Sequence, residues 1–482
     1  MKKFKQIFLI LLSIIPCAIF FSGCSFFDQK IYVTNIKATE IVGTTTTYTV
    51  YYSNGTHSMF TVENGTNGNN GQDLTLESIK KYCQDNNIDF NSFLKEYLTI
   101  VDKAENVQQA TALAIQSAVS VWCEFPVSDF YTKDTSVSCG AGVIYQMNET
   151  YSYVITNYHV VYYEKCDTEN NIANKIHLFQ YGTTEHVYDT GSYNNQGYPK
   201  YGYGYGAVEA EFVGGSLNYD IAILKVATQD LLEFNEHATA VTIAQEYSLA
   251  ETAIAIGNPE TEGISVTSGI ISVESEKITM LGADDKTQCT FRVMRIDTAV
   301  NGGNSGGGLF NINGELIGIV NAKVIDSQID NIAYAIPFNN VVQVANNLIY
   351  QHEKTGDIAK VKTFRLDIVT FIDSSRSVYN PTTKKITIKE DVIVHSVSLT
   401  SNSNHGMGVG YMMKIQTGDK IKSISINGET HTINRDFELG DWLLSIRPGD
   451  KVLIKVIRDN DEQTLGFAED AGVLESYFTE IK

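Results

Sequence analysis

A mainly β protein of several domains is what this sequence predicts, on three observations. From about residue 112 to 345, short runs of β-branched and apolar residues alternate with Gly, Asn and Asp turns. A second β-rich stretch runs from Phe364 to about Leu474. Helix-spaced apolar residues run from Leu74 to about Val101, and a helical stretch from Asn339 to Tyr350 closes the first β-rich region. At 482 residues the chain is too long for one ordinary domain. Its 43% hydrophobic content supports ordinary cores, and 7 prolines with 19% charged residues argue against wholesale disorder. A formal net charge of −20 argues against nucleic acid as a partner, because phosphate binding needs basic surface.

Met1-Lys2-Lys3-Phe4-Lys5 is a basic start, followed by an apolar run from Ile7 to Phe21. That run is shorter than the roughly 20 residues a bilayer span requires, so residues 1–23 read as a secretory signal peptide. Phe21-Ser22-Gly23-Cys24 resembles a bacterial lipobox. The resemblance implies cleavage before Cys24, its lipidation, and a mature protein anchored on the extracellular face of the cell membrane. Residues 24–71 are expected to hold a linker and a small β unit. Tyr48-Thr49-Val50-Tyr51-Tyr52 leads into the hairpin signal Ser53-Asn54-Gly55, and the Gly/Asn run 64–71 is flexible linker. Residues 72–111 read as a helical spacer of two short helices broken at Asn86-Asn87.

Residues 112–356 have the texture of an all-β barrel or sandwich, with runs such as Val143-Tyr145, Tyr153-Thr156, Ile221-Val226 and Ala253-Ile256. Glu164 to Gly215 is a long polar insertion with Tyr198, Tyr201, Tyr203 and Tyr205, read as a surface excursion with local β structure. Beyond Cys24 lie Cys83, Cys123, Cys139, Cys166 and Cys289, an odd number without zinc-type spacing. Export permits a disulfide, for which Cys139 and Cys166 are best placed; buried free thiols are the other reading.

Three segments carry chemistry. Tyr153 to Val161 is a strand delivering His159, Asp220 stands at the mouth of the apolar strand Ile221 to Val226, and Gly302-Gly303-Asn304-Ser305-Gly306-Gly307-Gly308 is a glycine-rich loop. Acyl transfer by serine needs a base within reach of the hydroxyl, an acid that fixes the base's tautomer, and backbone N–H donors for the oxyanion. Any one segment alone is commonly a turn or a cap. Together, in one β-rich region, they assign Ser305 as nucleophile, His159 as general base then acid, and Asp220 as the orienting acid. The N–H groups of Gly303, Asn304 and Ser305 are expected to line an oxyanion hole.

Thr156-Asn157-Tyr158-His159-Val160-Val161, Asp220-Ile221-Ala222-Ile223-Leu224-Lys225 and Gly303-Asn304-Ser305-Gly306-Gly307 resemble the three motifs of the HtrA (Deg) serine proteases. Tyr334-Ala335-Ile336-Pro337-Phe338 is similar to the motif that ends their protease domain. The resemblance spans roughly Ala112 to Tyr350. It implies a trypsin-like domain of two six-stranded β-barrels, cleaving unfolded or damaged exported polypeptides without cofactor or metal, in a family where trimers are common. The insertion lengthens the His-to-Asp interval, which leaves Asp189 as an alternative acid. Ala299, six residues before Ser305, takes the place of the aspartate of enzymes that cleave after Arg or Lys, so the pocket should accept small or medium apolar side chains. Gly318, Ile319 and Val320, leading to Asn321, resemble the strand that pairs with substrate backbone.

Residues 363–482 resemble a PDZ domain, an α/β unit, through Asp391 to Val397, Thr417-Gly418-Asp419-Lys420-Ile421 to Ile426-Asn427-Gly428, and Arg447-Pro448-Gly449-Asp450-Lys451-Val452. Asp367 stands where the carboxylate-binding loop would carry glycine. A peptide-binding chaperone lipoprotein and a narrowly specific processing protease are the rival readings.

Overall fold

The computed structural model describes residues 33–42, 45–52, 55–63, 107–321, 332–400, 406–467 and 471–481. The signal peptide, Cys24, Cys83, the linker 64–71 and residues 72–106 of the spacer lie outside the described residues. The chain divides into two compact units, Met1–Asp102 and Lys103–Lys482.

The first unit holds an antiparallel three-stranded sheet of β1 (Val33–Val42), β2 (Thr45–Tyr52) and β3 (His57–Glu63), in that order. Gly55 takes φ +80°, and its N–H donates to Tyr52 O at 3.0 Å to close the second hairpin.

The second unit opens on helix α1 (107–114), whose Ala110 and Ala114 are buried in the same core as the barrels that follow. The first barrel uses β4 (Ala118–Ser128), β5 (Lys133–Met147), β6 (Tyr151–Thr156), the one-turn helix α2 (Tyr158–Val161), β7 (Lys175–Gln180), β8 (Val187–Tyr193), β9 (Pro199–Tyr203), β10 (Val208–Ser216) and β11 (Ile221–Ala227). It closes in the order β10-β11-β6-β5-β4-β7, while β8 and β9 form a separate two-stranded ribbon in the insertion. The insertion's tyrosines serve largely as anchors. Tyr203 Oη donates to Glu124 Oε1 and Tyr198 Oη to Asp167 Oδ2, both at 2.8 Å, whereas Tyr205 is 82% exposed.

After helix α3 (Thr228–Phe234), the second barrel closes from β12 (Thr252–Gly257), β13 (Ser265–Leu281), β14 (Gln288–Ile296), β15 (Gly308–Phe310), β16 (Leu316–Asn321) and β17 (Ala333–Pro337), in the order β12-β13-β14-β17-β16-β15. Val143, Ile155 and Ile223 of the first barrel meet Ile254, Ile256 and Phe310 of the second in one shared apolar cluster. Helix α4 (Phe338–Thr355) buries Val341, Val344, Leu348 and Ile349 in that cluster, which ties the two barrels together.

Beyond it lie β18 (Val361–Phe364), β19 (Ile368–Asn380), β20 (Lys385–Val397), helix α5 (Val409–Met412), β21 (Lys420–Ile426), β22 (Glu429–Thr432), helix α6 (Asp436–Ser445), β23 (Val452–Arg458), β24 (Asp461–Gly466) and β25 (Phe478–Ile481). The sheet runs β19-β20-β21-β23-β24, with β22 on β21 and β18 paired to β25. Its core of Val392, Val394, Ile424, Ile454 and Val456 packs against Leu439 of α6, which makes this region α/β. Cys123, Cys139, Cys166 and Cys289 are free thiols. Cys139 and Cys166 face different partners: Cys139 Sγ donates to Gly140 O at 3.3 Å, and Cys166 Sγ to Ile172 O at 3.5 Å.

Candidate active site

Strand register brings the first two residues together. β6 and β11 pair with Thr156 opposite Ala222 and Ile155 opposite Ile223. The residues just past Thr156 therefore meet those just before Ile221. Val160 and Val161 are buried in the first barrel and hold α2 down, which leaves His159 on the side of Asp220. Asp220 takes φ +51°, a left-handed conformation that aspartate tolerates better than most residues.

Asp220 is 4% exposed, and its carboxylate accepts three hydrogen bonds. His159 Nδ1 lies 2.7 Å from Oδ2, the His159 backbone N–H donates to Oδ1 at 3.0 Å, and Asn321 Nδ2 donates to Oδ2 at 2.9 Å. Asn157 Nδ2 donates to Asp220 O at 2.8 Å and fixes the backbone of the turn. Beside an acceptor-only carboxylate, Nδ1 carries the proton, so Nε2 of the neutral ring keeps its lone pair. A carboxylate placed in this way also stabilises the imidazolium.

Ser305 is 6% exposed, on the loop between β14 and β15. The loop is built by backbone hydrogen bonds. Asn304 N–H donates to Asn301 O at 3.1 Å, Gly307 N–H to Asn304 O at 3.0 Å, Gly306 N–H to Val320 O at 3.0 Å, and Ala141 N–H to Ser305 O at 2.8 Å. Gly306 has φ +84°, and a Cβ there would fall 2.2 Å from Ala141 O and 2.3 Å from Thr156 Oγ1. Only glycine lets the loop lie this close to the end of β6, three residues before His159. A Cβ at Gly140 would likewise meet Val160 at 2.7 Å and Ser305 O at 3.1 Å, so Gly140 admits the loop against α2. These contacts carry Ser305 from the second barrel to the His159 turn of the first.

Among the residues expected at an oxyanion hole, Gly303 has φ +94° and its carbonyl accepts the N–H of Asn258 at 3.3 Å. The Asn304 N–H is engaged inside the turn, on Asn301 O, so it is not offered to an incoming oxygen. Asp189 lies on the exposed insertion ribbon, where its Oδ1 accepts the Gly191 N–H at 2.8 Å; it is not brought to His159. Ala299 is exposed, and its carbonyl accepts Thr267 Oγ1 at 2.8 Å. Gly318, Ile319 and Val320 sit in β16, hydrogen-bonded to β15 on one side and β17 on the other, with the Ile319 and Val320 side chains fully buried. A strand paired on both edges has no free backbone edge for a substrate, so these residues are wall rather than docking edge.

Asn157, Asn258 and the role of Asn321 escaped the sequence reading. No spacing rule points to them, because Asn321 reaches Asp220 across 101 positions and Asn258 reaches Gly303 only once the second barrel has closed. Cys139, close behind this loop, is not a competing nucleophile. Burial and the neighbouring Glu185 carboxylate hold its thiol far above the ordinary range. Among the described residues, no group of three or more His, Cys, Asp and Glu side chains makes a metal-binding set.

Residues 140–319, which include His159, Asp220 and Ser305, match the family model described as trypsin-like peptidase domain. The chain is 26% identical over 348 residues to the serine protease Do-like HtrA of Bacillus subtilis (strain 168), covering 69% of this chain and 64% of that protein. It is 31% identical over 214 residues to the serine protease Do-like HtrB of the same organism, covering 43% of this chain and 38% of that one. With the serine protease Do-like HtrA of Lactococcus lactis subsp. lactis (strain IL1403) the identity is 28% over 228 residues, 46% of each chain. This chain thus spans less than two thirds of the length of these curated relatives. Among solved structures, an HtrA-type protease AlgW with decapeptide aligns at 21% identity and a TM-score of 0.41, over 74% of this chain and 96% of that one. On the family match and these relatives, the middle of the chain is a trypsin-like serine peptidase domain, similar to those of the HtrA proteases.

Proposed function

We propose that the protein is an exported serine endopeptidase that cleaves unfolded or damaged polypeptides through an acyl-enzyme. The observation that carries this reading is the 2.7 Å contact of His159 Nδ1 with the buried Asp220, on the turn against which the Ser305 loop packs. His159 Nε2 takes the proton of Ser305 Oγ as the oxygen attacks the scissile carbonyl, and the resulting imidazolium is held by Asp220. The carbonyl oxygen, now an oxyanion, is met by the N–H groups of Gly303 and Ser305. His159 then delivers its proton to the leaving amine, and a water activated by the same imidazole releases the acyl group from Ser305. Asp220 stays ionised throughout. With Ala299 in place of an acid, the pocket favours small or medium apolar side chains.

The start of the chain supports export, and the Cys24 motif supports a lipid anchor on the outer face of the cell membrane. The test of cleavage is incubation of the full-length protein with β-casein, an unstructured substrate, beside a Ser305→Ala variant. Fragments from the parent and none from the variant are the expected result. Identical behaviour of the two would sink the peptidase reading and leave peptide binding without cleavage. Cys24→Ala should move the protein from the membrane fraction to the medium, and unchanged partitioning would count against the anchor.

A further inference from the structure

The insertion between β7 and β10 places a carboxylate directly behind the nucleophile loop. Glu185 is half-buried, and both of its oxygens accept hydrogen bonds. Ser120 Oγ donates to Oε1 at 2.6 Å, Trp122 Nε1 to Oε2 at 2.9 Å, and Asn258 Nδ2 to Oε2 at 2.7 Å. No cation among the described residues pairs with it, so three neutral donors surround the carboxylate. One of them leads to the site. Asn258 is fully buried; its Oδ1 accepts the Gly263 N–H at 2.8 Å, which fixes the orientation of its amide, and its backbone N–H donates to Gly303 O at 3.3 Å. The Gly303–Asn304 peptide is thus held at both ends, its carbonyl by Asn258 and its N–H by Asn301 O at 3.1 Å. That peptide sets the direction of the backbone on either side of it, including the N–H groups of Gly303 and Ser305.

We propose that Glu185 is a positioning residue of the peptidase: through Asn258 it fixes the Gly303 peptide and so preorganises the oxyanion site. The proposal rests on the peptidase reading and assigns a task to the insertion. Donors aimed in advance at the developing oxyanion stabilise the transition state, and they stay aimed only if the groups behind them are locked. Without the Glu185 carboxylate, Asn258 Nδ2 retains Ser120 Oγ at 3.0 Å and the weak acceptor Cys139 Sγ at 3.1 Å. The Asn258 turn then loosens, and the Gly303 peptide with it.

The experiment uses the full-length protein and compares Glu185→Ala, Glu185→Asp and Glu185→Gln with the parent. Tyr203→Phe serves as control, because it removes a different anchor of the same insertion, on Glu124. Three readouts are taken: labelling of Ser305 by a fluorophosphonate probe, kcat and KM on an apolar peptide anilide, and amide hydrogen exchange over residues 255–263 and 300–307. Glu185→Ala is expected to slow labelling and kcat about tenfold, a fraction of the loss when an oxyanion donor is itself removed, with KM little changed. Exchange rises in both segments, Glu185→Asp recovers part of the rate, and Tyr203→Phe behaves as the parent. Should Glu185→Ala fail to fold, Glu185→Gln decides, since it keeps the volume and replaces one accepting oxygen with a donor. Parental labelling and parental exchange in a folded Glu185 variant overturn the proposal, as does an equal loss in Tyr203→Phe. A parent that is never labelled at Ser305 defeats the peptidase reading instead, and the exchange data still decide whether Glu185 holds the Gly303 turn.

Discussion

Asn321 Nδ2 donates to Asp220 Oδ2 at 2.9 Å, so the last residue of β16 in the second barrel completes the hydrogen bonding of a carboxylate in the first. The same oxygen faces His159 Nδ1 at 2.7 Å. Asp220→Asn would present an amide there, place the imidazole proton on Nε2 and remove the base. The expected loss in kcat is about 10⁴-fold with the fold intact, read from peptide hydrolysis beside a thermal melt.

Asn321→Ala leaves Asp220 charged and paired with His159 but removes one charge-assisted donor, an interaction of about 1.5–3 kcal/mol. The expected result is a fall in kcat of about tenfold or more, with KM nearly unchanged. Full activity in a folded variant would show that the cross-barrel hydrogen bond does not orient the carboxylate.

Gly306→Ala is expected to do more than its size suggests. The backbone is at φ +84°, and the new methyl would lie 2.2 Å from Ala141 O and 2.3 Å from Thr156 Oγ1. The loop must lift off the end of β6, which separates Ser305 from His159. A loss of about 3 kcal/mol in stability and of nearly all Ser305 labelling is predicted, measured by denaturant melts and by the probe.

The His177 imidazole is pushed below its ordinary 6.5, chiefly by burial, with Lys175 adding and Glu209 and Glu124 opposing. The unfolded chain therefore takes up this proton at higher pH than the folded one. The stability concerned is complete above the ordinary value and is lost as pH falls toward the depressed one. His177 stacks on Tyr203 at 3.7 Å between centroids, so acid should loosen the insertion first. His177→Phe keeps a ring on Tyr203 and removes the titration. Between about pH 7.5 and about pH 5.5 its melting temperature should fall less than the parent's, and equal falls would refute the assignment.

Asp367, at φ +51°, engages its carboxylate both on its own loop and on the start of α5. Arg365 Nη2 donates to Oδ1 at 2.6 Å and the Val409 N–H to Oδ2 at 3.1 Å. On the PDZ resemblance read from the sequence, this side chain stands at the position expected to receive a peptide's terminal carboxylate. Peptides ending in a free carboxylate should bind the parent no better than their amides. Asp367→Gly, which tolerates the same backbone, should give the carboxylate an advantage of about tenfold, read by fluorescence anisotropy.

Much of this molecule is legible without coordinates because it is local. The β-branched run Tyr153 to Thr156 and the apolar run Ile221 to Val226 announce strands, since a pleat buried on both faces demands continuous runs of that kind. Ser305 stands among glycines because a tight loop needs them, and His159 and Asp220 sit at strand ends where the chain turns. The tyrosines of the insertion were legible only as a composition. Which of them anchor, as Tyr203 does on Glu124, and which face water, as Tyr205 does, depends on what the ribbon folds against.

By itself the sequence determined the residue types of a serine acyl-transfer site and the mainly β texture that carries them. Only the tertiary structure decided that β16 is paired on both edges, that the Asn304 N–H is engaged within its own turn, and that Asn321, Asn258 and Glu185 stand behind the site. The reason is physical. A strand or turn is specified by side chains within a few residues, whereas a hydrogen bond across 73 or 101 positions exists only after two barrels have closed and met.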